Sequence, residues 1–290
     1  MQAAALAGAG LVAACAALAR VPNLAQAPVT FLLLFAGAFA CYVLGAWGLH
    51  ESRGGRAMLL VLIVAGGARL ALLPAVPTLS TDAYRYVWDA RVASAGISPY
   101  LHAPEAPALS HLRDAAIYPH LNHPTWHTIY PPGAQAFFRA VYALRPDSVL
   151  AMKVALGLFE LIGLWTLIGL LMVVGISPVR AVIYAWNPLV LVESWGSGHL
   201  DAMVVPAVVG AMWASIVGRH ALAGGLLGAG TLLKLYPAAL LPLLLGPGTL
   251  PVLGAFAAVL VLGYAPVASG GLAVLGSLPR YLAEEYFNPG

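Results

Sequence analysis

Long apolar stretches are the sequence feature that most constrains the fold of this chain. A helix needs about 20 apolar residues to cross the roughly 30 Å of bilayer hydrocarbon, and several stretches approach or exceed that length. These stretches are residues 3–19, 28–49, 57–76, 149–174, 181–195, 201–217 and 250–268. The pattern therefore predicts an all-α fold, built as a polytopic bundle of transmembrane helices.

The composition agrees with a membrane protein and excludes a soluble domain. Only 9% of the 290 residues are charged and 61% are hydrophobic, whereas a soluble domain carries roughly 25% charged residues. Lipid must therefore solvate most of the chain. The net charge of +3 is too small to indicate nucleic-acid binding. Cys15 and Cys41 lie in apolar stretches and are interpreted as small buried residues, not as a disulfide or metal pair.

Two further apolar stretches are not predicted to form a simple span. Residues 221–245 are interrupted by Lys234 and by two prolines, which predicts two half-helices or one kinked span. Residues 133–144 are too few to cross the bilayer and carry Arg139 in their middle. This helix is therefore predicted to dip into the membrane or to lie on it.

Positive charges in short loops predict the orientation of the bundle. Arg53 and Arg56 follow the second span and Arg219 follows residues 201–217, so the positive-inside rule places both loops in the cytoplasm. Three spans then carry the polar segment after Pro77 to the outer face. The predicted organisation is three N-terminal transmembrane helices in 1–76, a long extracytoplasmic loop with a re-entrant or interfacial helix in 77–148, transmembrane helices in 149–270, and a truncated extracytoplasmic loop in 271–290.

The extracytoplasmic loop begins with a predicted helix at residues 80–91. At 100° per residue, Asp82, Arg85, Tyr86 and Asp89 fall within one arc of roughly 100°. The pattern predicts a helix in the membrane interface, whose polar face presents two carboxylates and an arginine at the membrane surface. Partial desolvation there makes a carboxylate bind a proton more tightly, which suits general-base chemistry.

Simpler roles are available for both carboxylates. Asp82 is preceded by Ser80 and Thr81, a common start of a helix, so it also fits an N-cap. Asp89 also fits a plain ion pair with Arg85 at i+4. The position of Asp82 at the boundary between water and lipid, beside several other polar groups, favours the chemical role.

Histidines are concentrated in the same loop. The spacing of His120, His123 and His127 permits a zinc site, but Pro124 interrupts it and the HExxH pattern is missing. Binding of phosphate or sugar hydroxyls is favoured, and solvated loop residues remain an alternative. Five of the eight histidines lie in this loop, namely His102, His111, His120, His123 and His127.

Two short polar segments interrupt the later apolar stretches. The first, residues 187–201, includes a glutamate, His199 and Asp201, and the second contains Lys234 and Tyr236. Ionisable groups at membrane depth are costly and indicate function by default. As alternatives, Lys234 snorkels to the interface, and His199 and Asp201 cap the following helix.

Taken in order, these segments resemble bacterial GT-C-fold glycosyltransferases, specifically the polyprenyl-phosphate-mannose-dependent mannosyltransferase and glycosyltransferase-87-like group. The family often has two adjacent acidic residues after the third span, whereas this chain has Thr81 and Asp82. Asp82 is therefore the only candidate from that pair. The matching stretches, which span about two-thirds of the chain, are residues 80–91 with 96–100, 117–132, 184–201, 234–237 and 281–288.

The resemblance implies an inverting, GT-C-type hexosyltransferase. It would transfer a mannosyl residue from a polyprenyl-phosphate donor to a lipid or glycan acceptor, at the outer face of the cytoplasmic (inner) membrane. Membrane lipids are the other expected partners; no nucleic acid, cofactor or metal is expected. Asp82 is the expected general base and Asp89 the second candidate. The residues expected to bind donor phosphate or substrate are Tyr84, Arg85, Arg91, Asn122, His123, Tyr130, His199, Asp201, Lys234 and Tyr236. Trp88 and Trp126, with Tyr84 and Tyr130, offer ring faces to sugars.

Two other functional classes remain open. A transporter or flippase of a lipid-linked sugar usually places its binding groups near the bilayer midplane, whereas the polar groups here gather in one long loop and at span ends. An inactive fragment or a non-catalytic subunit is supported by the lack of the further C-terminal spans that family members carry.

Overall fold

The computed structural model describes residues 1–246 and 248–283. Within these residues every regular element is helical and no strand occurs, which confirms the all-α prediction. Five helices of the described chain are long and apolar enough to cross a membrane, as a polytopic bundle requires. They are Gln2–Arg20, Pro28–Leu49, Gly55–Leu72, Val149–Val173 and Thr249–Leu275.

Short connecting helices separate many of the longer ones. The α-helices in chain order are α1 (Gln2–Arg20), α2 (Pro28–Leu49), α3 (Gly55–Leu72), α4 (Asp82–Ser94), α5 (Pro132–Leu144), α6 (Val149–Val173), α7 (Val182–Ala185), α8 (Pro188–Leu191), α9 (Asp201–Ile216), α10 (His220–Thr231), α11 (Thr249–Tyr264) and α12 (Leu278–Ala283). The 3-10 helices are Pro107–Leu112, Tyr118–His120, Pro178–Ala181, Tyr236–Leu244 and Ala265–Leu275, and Val192–Ser197 is a π-helix.

The chain divides into two compact units. The first contains Met1–Ser80 and Lys153–Trp213, and the second contains Thr81–Met152 with the described residues from Ala214 onward. The first unit holds most of the long apolar helices, and the second holds α4 and α5. The predicted division of the chain by membrane side stays a prediction.

The core of the first unit is built around Trp186. Helix α1 packs against α2 and α3. The indole lies so close to Gly45 that a Cβ there would collide with its ring, and a Cβ at Gly8 would collide with Val64 and lie in tight contact with the indole. The Trp186 Nε1 donates a hydrogen bond of 3.0 Å to the carbonyl of Val61. Glycines therefore make room on two helices for one large buried ring.

A buried ion pair joins α3 to α6. Arg69 and Glu160 are 1% and 0% exposed, and the guanidinium donates to both carboxylate oxygens, at 2.8 and 2.6 Å. Trp195 Nε1 also donates to Glu160, at 3.0 Å, and Arg69 Nη1 donates to the carbonyl of Ala185 at 2.8 Å. Each charge therefore has several hydrogen-bond partners, as burial of a charge requires.

The prediction of one span at residues 181–195 is wrong, because the helix breaks at Pro188. Proline cannot continue the preceding helix, and the Leu189 N–H donates to the Asn187 Oδ1 at 2.9 Å instead of to the carbonyl of Ala185. Arg69 takes up that carbonyl. The segment consequently contains α7, α8 and the π-helix Val192–Ser197, which ends at Gly198 with a φ of +74°.

In the second unit, α4 packs against α5 and α10 packs against α11. The two half-helices predicted within residues 221–245 are confirmed, because α10 ends at Thr231 and a 3-10 helix follows from Tyr236. The predicted helix at 133–144 is also confirmed as α5, and the Ala134 N–H near its start donates to the carbonyl of Leu232 at 3.2 Å. The placement of α5 relative to a membrane stays a prediction.

Candidate functional site

Asp82 lies at the start of α4 in the second unit. Thr81 occupies the N-cap position, so the alternative interpretation of Asp82 as the N-cap is wrong. The Asp82 Oδ1 accepts a hydrogen bond of 2.6 Å from the Nδ2 of Asn122, in a partly buried position. The first turn of a helix also favours a negative charge. The structure thus brings the expected general base together with an expected substrate-binding residue.

Arg85 and Asp89 follow on the same helix, and both are buried. Arg85 Nε donates to Asp89 Oδ1 at 2.8 Å, and the two side chains are 6% and 1% exposed. The second carboxylate oxygen of Asp89 accepts from Gln135 Nε2 at 2.9 Å. Within the second unit, α4 therefore buries Arg85 and Asp89 and leaves Asp82 partly exposed; the placement of this polar face relative to a membrane stays a prediction.

Gln135 joins the carboxylate to a neighbouring loop. Its Nε2 also donates to the hydroxyl oxygen of Thr128 at 2.8 Å, and the same oxygen accepts from the Tyr130 N–H at 3.3 Å. Because a carboxylate can only accept, the contact with Asp89 requires the Gln135 amide nitrogen on that side and so determines the orientation of the amide. A lone amide among the apolar residues of α5 was the only sequence signal for this role.

An aromatic cluster fills the space beside this network. The Tyr86 ring stacks on Phe138 with centroids 4.4 Å apart, and the Tyr130 ring meets Tyr86 edge-on at 5.1 Å. Tyr100 donates its hydroxyl to the carbonyl of Tyr130 at 2.9 Å. Burial raises the pKa of the Tyr130 phenol well above its usual range. Tyr130, expected to bind substrate, thus packs against protein.

The other aromatic side chains expected to stack on sugars are placed differently from one another. Trp88 and Trp126 are buried, at 1% and 6% exposure. Tyr84 is only partly buried, and its ring lies 4.7 Å from that of His120. Of these rings, Tyr84 has the most accessible surface.

Arg91 is held by two carboxylates of the loop. Its guanidinium donates to Asp114 Oδ2 at 2.6 Å and to Asp147 Oδ1 at 2.9 Å, and also to the carbonyl of Leu112. Burial opposes ionisation of Asp114, but hydrogen bonds from Arg91 and from the N–H groups of Ile117 and Tyr118 outweigh it and lower the pKa of Asp114 to about 2. This arginine, expected to bind phosphate, already has its charge compensated.

The loop after Asn122 carries an exposed histidine in a strained conformation. His123 has a φ of +47°, which is uncommon for a residue with a side chain, and its ring lies 5.3 Å from that of Trp126. The carbonyls of His123 and Trp126 accept from Arg85, at 3.5 and 2.9 Å. The backbone of this loop is therefore tied to α4.

A second arginine reaches the same loop from α12. The Arg280 guanidinium lies 4.3 Å from the centroid of the Trp126 ring. Gly276, with a φ of +51°, lies so close to the Thr128 carbonyl that a Cβ would overlap with it. Sequence reasoning missed Arg280, and nothing in its local sequence indicated this contact. The rest of the predicted stretch 281–288, from residue 284 onward, lies outside the described residues.

Lys234 and Tyr236 also belong to the second unit. They lie between α10 and the 3-10 helix Tyr236–Leu244; Lys234 is partly buried and Tyr236 is 52% exposed. Leu232, two residues earlier, accepts from the Ala134 N–H at the start of α5. The segment that leads to Lys234 is therefore anchored on α5.

His199 and Asp201 belong to the first unit. His199 Nδ1 contacts Glu193 Oε2, and the backbone N–H of His199 donates to the Glu193 carbonyl at 2.9 Å. Glu193 lies in the π-helix Val192–Ser197, a rare element often found at functional sites. Asp201 is the first residue of α9, where the helix dipole favours a negative charge; its role stays a prediction.

The histidines of the loop do not gather with other potential metal ligands among the described residues. In the part of the chain that the structure describes, no group of three or more His, Cys, Asp or Glu side chains is close enough to hold a metal ion. The rings of His120 and His123 instead contact Tyr84 and Trp126.

The chain matches the model of a known protein family. The family model, described as "Alpha-(1->6)-mannopyranosyltransferase, N-terminal domain", matches residues 1–246. This range includes Asp82, Asn122 and Gln135, and Arg280 lies beyond it. No curated protein matches the chain, and no solved structure matches it.

Proposed function

Because this chain belongs to the alpha-(1->6)-mannopyranosyltransferase family, we propose that it transfers a mannosyl residue from a polyprenyl-phosphate donor to a lipid or glycan acceptor. The single observation that carries the mechanism is the hydrogen bond of 2.6 Å between Asn122 and the Asp82 carboxylate. The five long apolar helices support a membrane location, where a lipid-linked donor is available. We place the reaction at the outer face of the cytoplasmic membrane, within a GT-C-type bundle.

The reaction needs one proton acceptor and one stabilised leaving group. The acceptor hydroxyl, the 6-OH of a hexose for a 1→6 linkage, gives its proton to Asp82 while its oxygen bonds to C1 of the donor mannose. The bond from C1 to the phosphate oxygen breaks, and the polyprenyl phosphate leaves with the electron pair. Direct displacement inverts the anomeric centre, so an α product requires a β-linked donor.

Asp82 is a better general base than Asp89. Asp89 is 1% exposed, and its two oxygens accept from Arg85 and Gln135, so an acceptor sugar cannot approach it without breaking that network. Asp82 is only partly buried. We therefore assign the base role to Asp82 alone.

The donor phosphate needs cations and hydrogen-bond donors at positions that are accessible from outside the protein. Arg85 and Arg91 are buried and paired with aspartates, so neither is our first candidate. Within the second unit, we propose exposed His123 and Arg280, which share contacts with Trp126, together with Lys234. In the first unit, His199 with Asp201 stays a candidate from the resemblance, and Tyr84 and Tyr236 offer accessible rings to the sugar.

The direct experiment compares two matched variants in proteoliposomes that contain a polyprenyl-phosphate β-mannose and an α-mannoside acceptor. Asp82→Asn should lower kcat by about 10²- to 10⁴-fold, the usual contribution of a general base. Glu105→Gln, which removes an exposed carboxylate of the same loop, should stay close to wild type. Mass spectrometry of the products reports the rate. Full activity of Asp82→Asn would remove this residue from catalysis.

The substrates are tested with the wild-type protein. GDP-mannose should give no product without the lipid-linked sugar, and an acceptor lacking the 6-OH should not be mannosylated. Transfer from GDP-mannose alone would contradict the lipid-linked donor, and transfer to the 6-deoxy acceptor would contradict the linkage. Uptake of the lipid-linked sugar with no product formed would support a transporter instead.

A further inference from the structure

The side chain of Asp89 is better placed to orient the site than to act in it. Both of its oxygens accept hydrogen bonds, from Arg85 at 2.8 Å and from Gln135 at 2.9 Å. Gln135 holds one carboxylate oxygen, so the other oxygen is kept in place as the acceptor of the Arg85 Nε–H. Asp89 therefore restrains the direction of the remaining Arg85 N–H groups, together with the carbonyls that accept from them.

Those N–H groups point at the main chain of the loop that follows Asn122. Arg85 Nη2 donates to the Trp126 carbonyl at 2.9 Å, and Nη1 contacts the His123 carbonyl at 3.5 Å. The Trp126 N–H closes a turn onto the same His123 carbonyl at 2.9 Å. A strained backbone such as that of His123, with a φ of +47°, persists only when surrounding contacts hold it.

Asn122 is the residue next to this turn, and its side chain donates to Asp82 at 2.6 Å. Helix α4 thus holds the loop at two points, through the Asp82 carboxylate and, one turn later, through Arg85. We propose that Gln135, Asp89 and Arg85 form a positioning relay that fixes Asn122 and thereby orients the Asp82 carboxylate. The inference rests on the proposed function, since it requires Asp82 to be the base.

The relay predicts that substitution of Asp89 or Arg85 lowers kcat. Asp89→Asn keeps the shape of the side chain but weakens its hold on Arg85, so kcat should fall about 10- to 100-fold, as small misplacements of catalytic groups do. The KM values for donor and acceptor should change less than about threefold, because substrate-binding groups are not removed. Arg85→Lys should lose as much as Asp89→Asn, since a lysine lacks the planar fork.

A double-mutant cycle between Asp89→Asn and Asn122→Ala separates a relay from a merely structural role. If Asp89 acts through Asn122, adding Asp89→Asn to Asn122→Ala should lower kcat by no more than about threefold further. Partial unfolding caused by Asp89→Asn would lower kcat by the same factor in both backgrounds. Size-exclusion profiles and melting temperatures of the four proteins report folding independently.

The measured kcat values decide between the relay and its alternatives. Multiplicative losses of kcat in the cycle would overturn the relay, as would wild-type kcat in Asp89→Asn. A loss above about 100-fold in both backgrounds would instead identify Asp89 as a second base. Full activity of Asp82→Asn would overturn the proposed function itself, whatever the result of the double-mutant cycle. An inactive Asp82→Asn with a multiplicative cycle would leave the function standing and remove only the relay.

Discussion

Asn122 Nδ2 lies 2.6 Å from Asp82 Oδ1, across 40 residues of chain. The amide donates and the carboxylate accepts, so the contact fixes which way the carboxylate faces. Asn122 therefore influences the orientation of the proposed base.

The Asn122→Asp substitution should convert this favourable contact into a repulsive one. Two carboxylates at this distance share a proton, so ionisation of the pair is completed only at higher pH. We expect the acidic limb of the kcat profile to move upward by about one pH unit or more, with activity partly recovered at alkaline pH. The measurement is kcat between pH 5 and 9 at saturating donor and acceptor.

A matched control is available at Asn23, in the first unit. Its Oδ1 accepts from the Gln26 N–H, a role that an aspartate also performs. Asn23→Asp adds the same charge, and its pH profile should coincide with that of wild type. An unshifted acidic limb in Asn122→Asp would mean that Asp82 is not the group whose ionisation limits the rate.

Local sequence features predicted the helical elements well. The predicted stretch 28–49 coincides with α2, and the periodicity at residues 80–91 predicted α4. Both depend on hydropathy and on helical spacing, which are properties of neighbouring residues. The same is true of the interruption after Thr231, where Lys234 and two prolines predicted the observed break.

Hydropathy alone failed where a proline and a polar residue change the path of an apolar segment. Residues 181–195 were predicted as one span, although Asn187 followed by Pro188 is a strong start signal for a new helix. The capping bond from Leu189 to Asn187 depends on that pair, so the sequence contained the information. A hydropathy average over the whole segment does not detect this pair of residues.

The pairing of charges was harder to predict, because it depends on the folded chain. Arg91 was expected to bind phosphate, but Asp114 and Asp147, 23 and 56 residues away, occupy its guanidinium. The interpretation of Arg85 and Asp89 as an i+4 ion pair is correct about their contact, because residues four apart on one helix are neighbours. Gln135 and Arg280 reach their partners only through tertiary packing.

The buried pair of Arg69 and Glu160 predicts an asymmetric effect on stability. Arg69→Met leaves the Glu160 charge buried, at 0% exposure, without its bidentate partner and should lower the free energy of unfolding by about 3–5 kcal/mol. It also leaves the Ala185 carbonyl without its donor. Adding Glu160→Leu should recover much of this loss, because the unpaired charge is removed. Unfolding in mixed detergent micelles measures both variants.

The control for this pair is Arg20→Met. Arg20 is exposed and, among the residues that the structure describes, donates only within its own helix, to the Ala16 carbonyl. Its replacement should therefore change the free energy of unfolding by less than about 0.5 kcal/mol. If the double variant is as unstable as Arg69→Met, the cost lies in lost packing around the arginine and not in an unpaired charge.

Adjacent glycines of α10 should respond to alanine in opposite directions. A Cβ at Gly224 would overlap with the carbonyl of Val252 in α11, whereas a Cβ at Gly225 meets only a Val259 methyl group at 3.9 Å. Gly225→Ala should stabilise the protein by about 0.5–1 kcal/mol, because alanine loses less backbone entropy in a helix. Gly224→Ala should destabilise it by about 1–3 kcal/mol, because a backbone carbonyl cannot rotate away as a side chain can. Thermal unfolding of the two variants measures the difference, and shifts of the same sign at both positions would show that α10 and α11 do not meet at Gly224.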